Sequence, residues 1–274
     1  MAPLLILPIS LAAGFVGAIG GMGGGILLIP ALTFFGMEIK KAIALSIVSV
    51  IATSSGSASA YVRDRLTNLK IGMFLEVFTI LGALAGASIA VSIHSRYLFF
   101  LLGTVLLGSA FVLWIQRNRD RTPSEPGAFS RWLELSGTYP ERSSGRVVSY
   151  HAVRAQWAGP CMLGAGLIAG LLGIGAGALK VLVLDMVMGL PPKVATTTSN
   201  LIIGVTALAG ASVYLASGWI DPGQAGLVIL GVLVGSIAGT RVLVRLSNQI
   251  VRRIFLVLLV VMGIEVLVRG ARGQ

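Results

Sequence analysis

The chain has almost none of the residues from which redox and metal sites are built: one cysteine, Cys161, and two well separated histidines, His94 and His151. No disulfide framework, haem-ligand pair or zinc cluster can be assembled from these within one chain, so neither a metal nor a cofactor is expected. Charge is also scarce, at 11% of residues, with ten acids against 21 Lys and Arg. A formal charge of +11 would suggest nucleic acid as the partner of a soluble protein. Here the basic residues lie mostly between apolar runs, which is the pattern of membrane orientation and lipid-headgroup contact and argues against a nucleic-acid partner.

What is abundant is apolar sequence, at 55% of residues. Apolar stretches cover about 3–20, 25–37, 42–61, 71–92 and 97–116, then 157–173, 177–189, 194–216, 223–245 and 250–268. Runs of this length predict an all-α polytopic membrane protein with a lipid bilayer around it. No Lys or Arg precedes Lys40, and the first apolar run continues past the first glycines, so residues 1–20 read as a retained membrane segment. Between the two sets, residues 117–156 carry seven arginines, four acids and three prolines, too polar to span a bilayer. The expected organisation is a first membrane repeat over 1–116, a hydrophilic basic connector over 117–156, and a second membrane repeat over 157–274.

The halves align residue by residue. Gly14 matches Gly166, Gly21 matches Gly173, Gly23 matches Gly175 and Gly25 matches Gly177. After a one-residue gap, Gly36 matches Gly189, Lys40 matches Lys193, Ser46 matches Ser199, Thr53 matches Thr206, Tyr61 matches Tyr214, Gly82 matches Gly235 and Gly86 matches Gly239. This is the signature of an internal duplication. Each half opens with a glycine cluster inside apolar sequence, Gly20-Gly21-Met22-Gly23-Gly24-Gly25 and Gly173-Ile174-Gly175-Ala176-Gly177, followed by a short apolar segment. Thirteen residues reach roughly 20 Å, short of the ~30 Å hydrocarbon core, so each predicts half of a broken hairpin. If each hairpin enters and leaves on one side, the halves are inverted. That arrangement brings Arg241, Arg245, Arg252, Arg253 and Lys193 to the side of the connector, which satisfies the positive-inside tendency better than the parallel one.

Broken helices in corresponding halves point to a transporter site near the middle of the bilayer. Glycines let the backbone leave helical geometry there, and the following helix N-termini offer N–H groups and partial positive charge to an anion. The competing use of membrane glycines is close helix packing, expected for Gly82, Gly86, Gly235 and Gly239. Those small-residue faces are compatible with a homodimer or with packing inside one chain. Lys180 lies one turn into the second short segment, where the first half has Leu28. An ammonium at that depth costs ~2.5–3.5 kcal/mol on insertion scales, so it should face a cavity, an anion or an acid such as Asp185 or Glu76. The candidate substrate-binding residues are Gly23, Gly24, Gly25, Gly175, Ala176, Gly177 and Lys180, with Ser46, Thr53, Ser199, Asn200 and Thr206 from the next helices. Glu76 and Asp185 are candidates for carrying a coupling proton or for ion pairing. Glu265 is expected to snorkel or to meet Arg269, its (i, i+4) neighbour.

The duplicated order of glycine cluster, short apolar helix, turn and Ala/Thr/Ser-rich helix resembles the TauE/SafE sulfite exporter family. Gly21 to Pro30 with Ala42 to Ser55, and Gly173 to Gly177 with Gly189 to Ser199, carry the resemblance. It implies a multi-pass inner-membrane permease exporting sulfite, sulfonates or related organosulfur anions, and not an enzyme. The second cluster departs from the usual Gly-Gly-Gly by reading Gly-Ala-Gly, and Lys180 follows it. Alternating access is the expected mechanism. With the cell interior negative, outward movement of an anion gains about 2.3 kcal/mol per charge per 100 mV. A passive anion channel and, more remotely, an intramembrane anchor or enzyme subunit are the alternatives.

Overall fold

A computed structural model describes residues 3–20, 24–63, 66–115, 128–141, 146–243 and 248–272. Met22, Gly21 and Gly23 of the first glycine cluster, Arg245, and the side chains of Arg241, Arg252 and Arg253 lie outside the described residues. The helices are α1 Pro3–Gly20, α2 Gly25–Phe34, α3 Ile39–Arg63, α4 Leu69–Ser92 and α5 Ser95–Ile115, then α6 Ala128–Trp132, α7 Ala155–Leu172, α8 Gly177–Leu182, α9 Pro192–Ala216, α10 Pro222–Leu243 and α11 Asn248–Arg272. Among the described residues, five stretches are long and apolar enough to cross a membrane: Ile39–Arg63, Leu69–Ser92, Ala155–Leu172, Pro192–Ala216 and Pro222–Gly239.

Local chemistry sets the ends. The Asn68 side chain accepts from Ile71 N–H at 3.1 Å and so caps α4. Asp221 Oδ1 accepts from Gly223 and Gln224 N–H at 2.8 and 3.0 Å, ahead of α10, with Pro222 at the first helical position where no N–H is needed. Helix α7 stops at Gly173, whose φ of +63° is left-handed.

The helices pair in a reciprocal order: α1 against α10, α4 against α7, α5 against α11 and α3 against α9. Glycines bring the backbones of these pairs together. A Cβ at Gly82 would stand 2.2 Å from Leu163 O, at Gly86 2.1 Å from Leu167 O, and at Gly235 2.1 Å from Leu11 O. The small-residue faces at Gly82, Gly86 and Gly235 are thus used inside the chain, at α4–α7 and α1–α10, because a backbone oxygen already fills the place of the missing side chain. Helix α4 shows the division of labour: Leu75, Glu76, Thr79, Gly82, Ala83 and Gly86 are buried, while Met73, Val77 and Leu81 form an exposed apolar stripe. An outward apolar face is what lipid contact selects.

The connector departs from the all-α expectation. Strands β1 Ser136–Glu141 and β2 Arg146–His151 pair antiparallel, with Ser136 opposite His151 and Tyr139 opposite Val148. Leu135, Tyr139 and Tyr150 are buried and join one core cluster with Ile71, Leu75, Met162, Leu184 and Met188. The connector is polar in composition but lays one apolar side onto the bundle. Asn68 ties it down, donating to Ser136 O at 3.1 Å and to the Tyr150 hydroxyl at 3.0 Å. Burial pushes the Tyr150 phenol above its ordinary pKa, with the Asn68 hydrogen bond acting the other way.

Candidate functional site

The two glycine breaks meet at the crossing of α3 and α9. The Ser46 hydroxyl, on α3, lies 3.0 Å from Gly25 O and 2.8 Å from Gly173 O, so one side chain touches both breaks. Its single proton is shared between the two carbonyls. On α9, Ser199 donates to Gly177 O at 3.4 Å. A Cβ at Gly25 would meet Val50 Cγ2 at 2.5 Å, one at Gly175 would meet Ile203 Cγ2 at 2.8 Å and one at Gly177 would meet Ile203 Cδ1 at 2.7 Å. These glycines therefore let the short helices sit directly on Val50 and Ile203. A side chain at any of the three positions would press on these methyl groups, and at Gly175 the left-handed φ of +70° is a second requirement for glycine.

The second break is sharply turned. Gly173 and Gly175 have φ of +63° and +70°, and Ala176, between Gly175 and Gly177, has φ of +47°. A left-handed conformation costs a non-glycine residue about 1–2 kcal/mol. Helix α8 then runs for six residues before Val183–Val187 opens into a π turn, with Met188 N–H reaching Val183 O at 3.1 Å. Such turns widen a helix by one residue and recur at functional positions.

Lys180 emerges from α8 and is fully buried, the one buried cation among the described residues. Its ammonium donates to Thr206 Oγ1 on α9 at 2.8 Å. That hydroxyl stands 3.0 Å from Glu76 Oε1 and 2.5 Å from Ile202 O. Thr79 adds a further hydroxyl, 3.2 Å from the same Glu76 oxygen. Glu76 is 9% exposed. A cation and an anion are thus held one hydroxyl apart between α8, α9 and α4, in a place where each charge alone would be expensive: removing one partner of a buried pair costs about 3–5 kcal/mol. The arrangement can exchange Lys180's neutral hydroxyl contact for an incoming oxyanion, and it offers a carboxylate close by for a proton.

The structure brings together Lys180, Thr206 and Glu76 in one cluster, and Gly25, Ser46, Gly173, Gly177 and Ser199 in another, with Val50 and Ile203 between the breaks. Glu76 is the acid beside Lys180; Asp185 lies farther along, in the π turn. Gly24 has helical φ of −66° and its carbonyl accepts from Leu28 N–H at 3.2 Å. Thr53 turns its hydroxyl to Ser49 O and Val50 O of its own helix, at 3.0 and 3.2 Å. Asn200 contributes its backbone carbonyl to the Ser54 hydroxyl, which links α9 to α3. Glu265 does meet Arg269, and Arg269 donates at 2.7 Å to Thr33 O at the end of α2. Thr79, Val50 and Ile203 went unmarked in the sequence. Thr79 alone carried a signal, as a hydroxyl three residues from Glu76 on the same helix face.

Comparison with known proteins places this architecture. Residues 6–266 match the family described as sulfite exporter TauE/SafE. The Probable membrane transporter protein YunE of Bacillus subtilis (strain 168) is 23% identical over 282 residues, covering 98% of this chain and 99% of the relative. The Probable membrane transporter protein YdhB of the same organism is 24% identical over 245 residues, covering 89% of this chain and 90% of the relative. No solved structure matches the chain. With long apolar helices, glycine-broken segments and a family match spanning nearly its whole length, this chain is a multi-pass membrane transporter and belongs to the TauE/SafE sulfite exporter family.

Proposed function

We propose that this protein exports small sulfur-containing anions, sulfite, sulfonates or organosulfur acids, across the inner membrane by alternating access, with Lys180 as the group that engages the anion. The observation that carries the reading is a fully buried ammonium, at the second glycine break, whose hydrogen-bond partner is a neutral hydroxyl. A strongly hydrated point charge kept at that depth has a use only if something anionic reaches it. Glu76 balances the charge in the resting protein without touching the ammonium directly. The six residues of α8 make its terminus a minor contributor, so the weight of recognition falls on the Lys180 side chain and the Thr206 hydroxyl.

The reciprocal pairing of α1 with α10 and α4 with α7 supports two inverted halves, 1–116 and 157–274, joined by the connector 117–156. Lys180 is sealed from solvent in this conformation, which is what an occluded state between outward-open and inward-open forms requires. Rocking of one half against the other about the α3–α9 crossing would expose it alternately.

The test is anion flux from proteoliposomes across a panel of sulfite, sulfate, sulfoacetate, thiosulfate and a mercapto-dicarboxylate, with wild type and Lys180→Met side by side. Saturable, selective efflux that falls at least tenfold in the folded variant is the expected result. Selective flux indifferent to the substitution would remove Lys180 from the site, and flux that never saturates would favour a channel.

A further inference from the structure

Resting on the anion reading of Lys180, we infer that Glu76 and the transported anion compete for the charge of Lys180, so that each singly charged anion crosses the membrane together with one proton carried on the Glu76 carboxyl group. The argument is charge balance in a dry place. In the resting cluster one ammonium and one carboxylate, bridged by Thr206, sum to zero. An anion arriving at Lys180 with Glu76 still ionised would leave a net negative charge among apolar helices. A proton taken from the aqueous phase on the loading side by Glu76 Oε1 restores neutrality. Release on the far side reverses both steps, and Thr206 again bridges the ionised pair.

Among the described residues, Glu76 is the acid hydrogen-bonded to the hydroxyl that holds the ammonium. Helix α7, packed against α4, carries no charged residue between Ala155 and Leu172. Helix α9 has only Lys193, in its first turn, and α4 otherwise only Lys70, which is ion-paired to Glu134 at 3.0 Å outside the apolar region. On α8 and the π turn the charged residues are Lys180 and Asp185, and it is Glu76 that shares the Thr206 hydroxyl with the ammonium. Protonated Glu76 need not be orphaned: Thr79 and Thr206 both have oxygens that can accept its O–H.

Only neutral forms of the cluster can reorient cheaply: the empty carrier with Glu76 ionised, and the loaded carrier with Glu76 protonated. The cycle is then electroneutral, and the gradients of anion and proton drive it in place of the membrane potential expected to drive a lone anion. Replacing Glu76 by Gln therefore has an asymmetric effect. The loaded carrier stays neutral and still moves, whereas the empty carrier holds an uncompensated ammonium and stalls.

The experiment uses methanesulfonate, which stays ionised throughout the working pH range, in proteoliposomes containing a trapped pH-sensitive dye. Wild type is expected to alkalinise the lumen by one proton per methanesulfonate released. E76Q is expected to lose net efflux at least tenfold while retaining methanesulfonate/methanesulfonate exchange within about threefold of wild type. Wild-type efflux that depends on Lys180 but moves no protons overturns the coupling and leaves the anion reading standing, and this measurement needs no variant of Glu76 to fold. Folded E76Q that loses exchange together with net efflux overturns it as well. Absence of any Lys180-dependent flux overturns the anion reading and the coupling with it.

Discussion

The two short helices that follow the glycine breaks occupy aligned stretches of the chain and are built differently. Helix α2 is ten residues long, entirely α-helical through Pro30, with apolar Leu28 buried in its middle and its last carbonyls held by Arg269 from α11. Helix α8 is six residues long, starts from left-handed Ala176, and unwinds into a π turn one turn beyond Lys180. The alignment that sets Tyr61 against Tyr214 also sets Glu76 against Ile229, so both members of the ionic pair have apolar counterparts. One region is a regular, capped, apolar element; the other carries strain and charge. An unequal pair of this kind separates support from chemistry: if the two breaks had the same role, no reason would remain to bury ions beside only one of them.

The comparison can be broken most forcefully at the ion pair. Lys180→Met leaves Glu76 buried opposite an apolar side chain and should lower stability by about 3–5 kcal/mol, read by thermal unfolding in detergent. Introducing Lys180→Leu with Glu76→Ile copies the aligned residues of the other region, and should recover most of that stability while leaving no flux. A double variant as unstable as Lys180→Met would mean that volume, not charge, governs the site.

A smaller effect is expected at the serines. Ser46→Ala removes a hydroxyl lying at 3.0 and 2.8 Å from two buried carbonyls, one from each break, and should cost about 1–3 kcal/mol. Ser199→Ala removes one longer contact of 3.4 Å and should cost no more than about 1 kcal/mol. Equal costs in denaturation would erase the asymmetry between α3 and α9.

The smallest expected effect is also the most counter-intuitive. Ala176→Gly should stabilise the protein by about 1 kcal/mol, because glycine adopts the left-handed conformation without penalty. The aligned Gly24→Ala should bring no such gain, since Gly24 is already helical and a Cβ there would crowd the backbone oxygen of Ala13 at 3.3 Å. A destabilising Ala176→Gly would show that the methyl group packs well enough to offset its strain.

Much of this was legible in the sequence, for reasons that differ by feature. Apolar runs broken by glycine clusters carry their own period and length, and Lys180 stood out as a cation inside one of them. Gly82, Gly86 and Gly235 were readable as packing residues because small side chains on a membrane helix have few other uses. The partner of Lys180 was not settled: Glu76 is on a helix brought alongside only by tertiary packing, and no spacing rule reaches across so many residues. The connector hairpin was missed because its strands are short and mostly polar, and its structure depends on Tyr139 and Tyr150 finding a surface that belongs to other segments. The left-handed Ala176 was hidden because the residue type argues against the conformation that its neighbours impose.

The reciprocal helix order also bears on how the chain is made. Helix α1 finds its main partner in α10, and the end of α2 is completed by Arg269 of α11. During synthesis α1 must therefore wait in the bilayer, with Leu7 and Leu11 backbone surfaces that Gly231 and Gly235 will later cover still facing lipid. The pairing of α4 with α7 becomes available much earlier. Assembly is thus staggered, with the charged cluster assembled as soon as α9 follows α8 into the membrane, and α1, which precedes the other described helices in the chain, is enclosed only when α10 arrives.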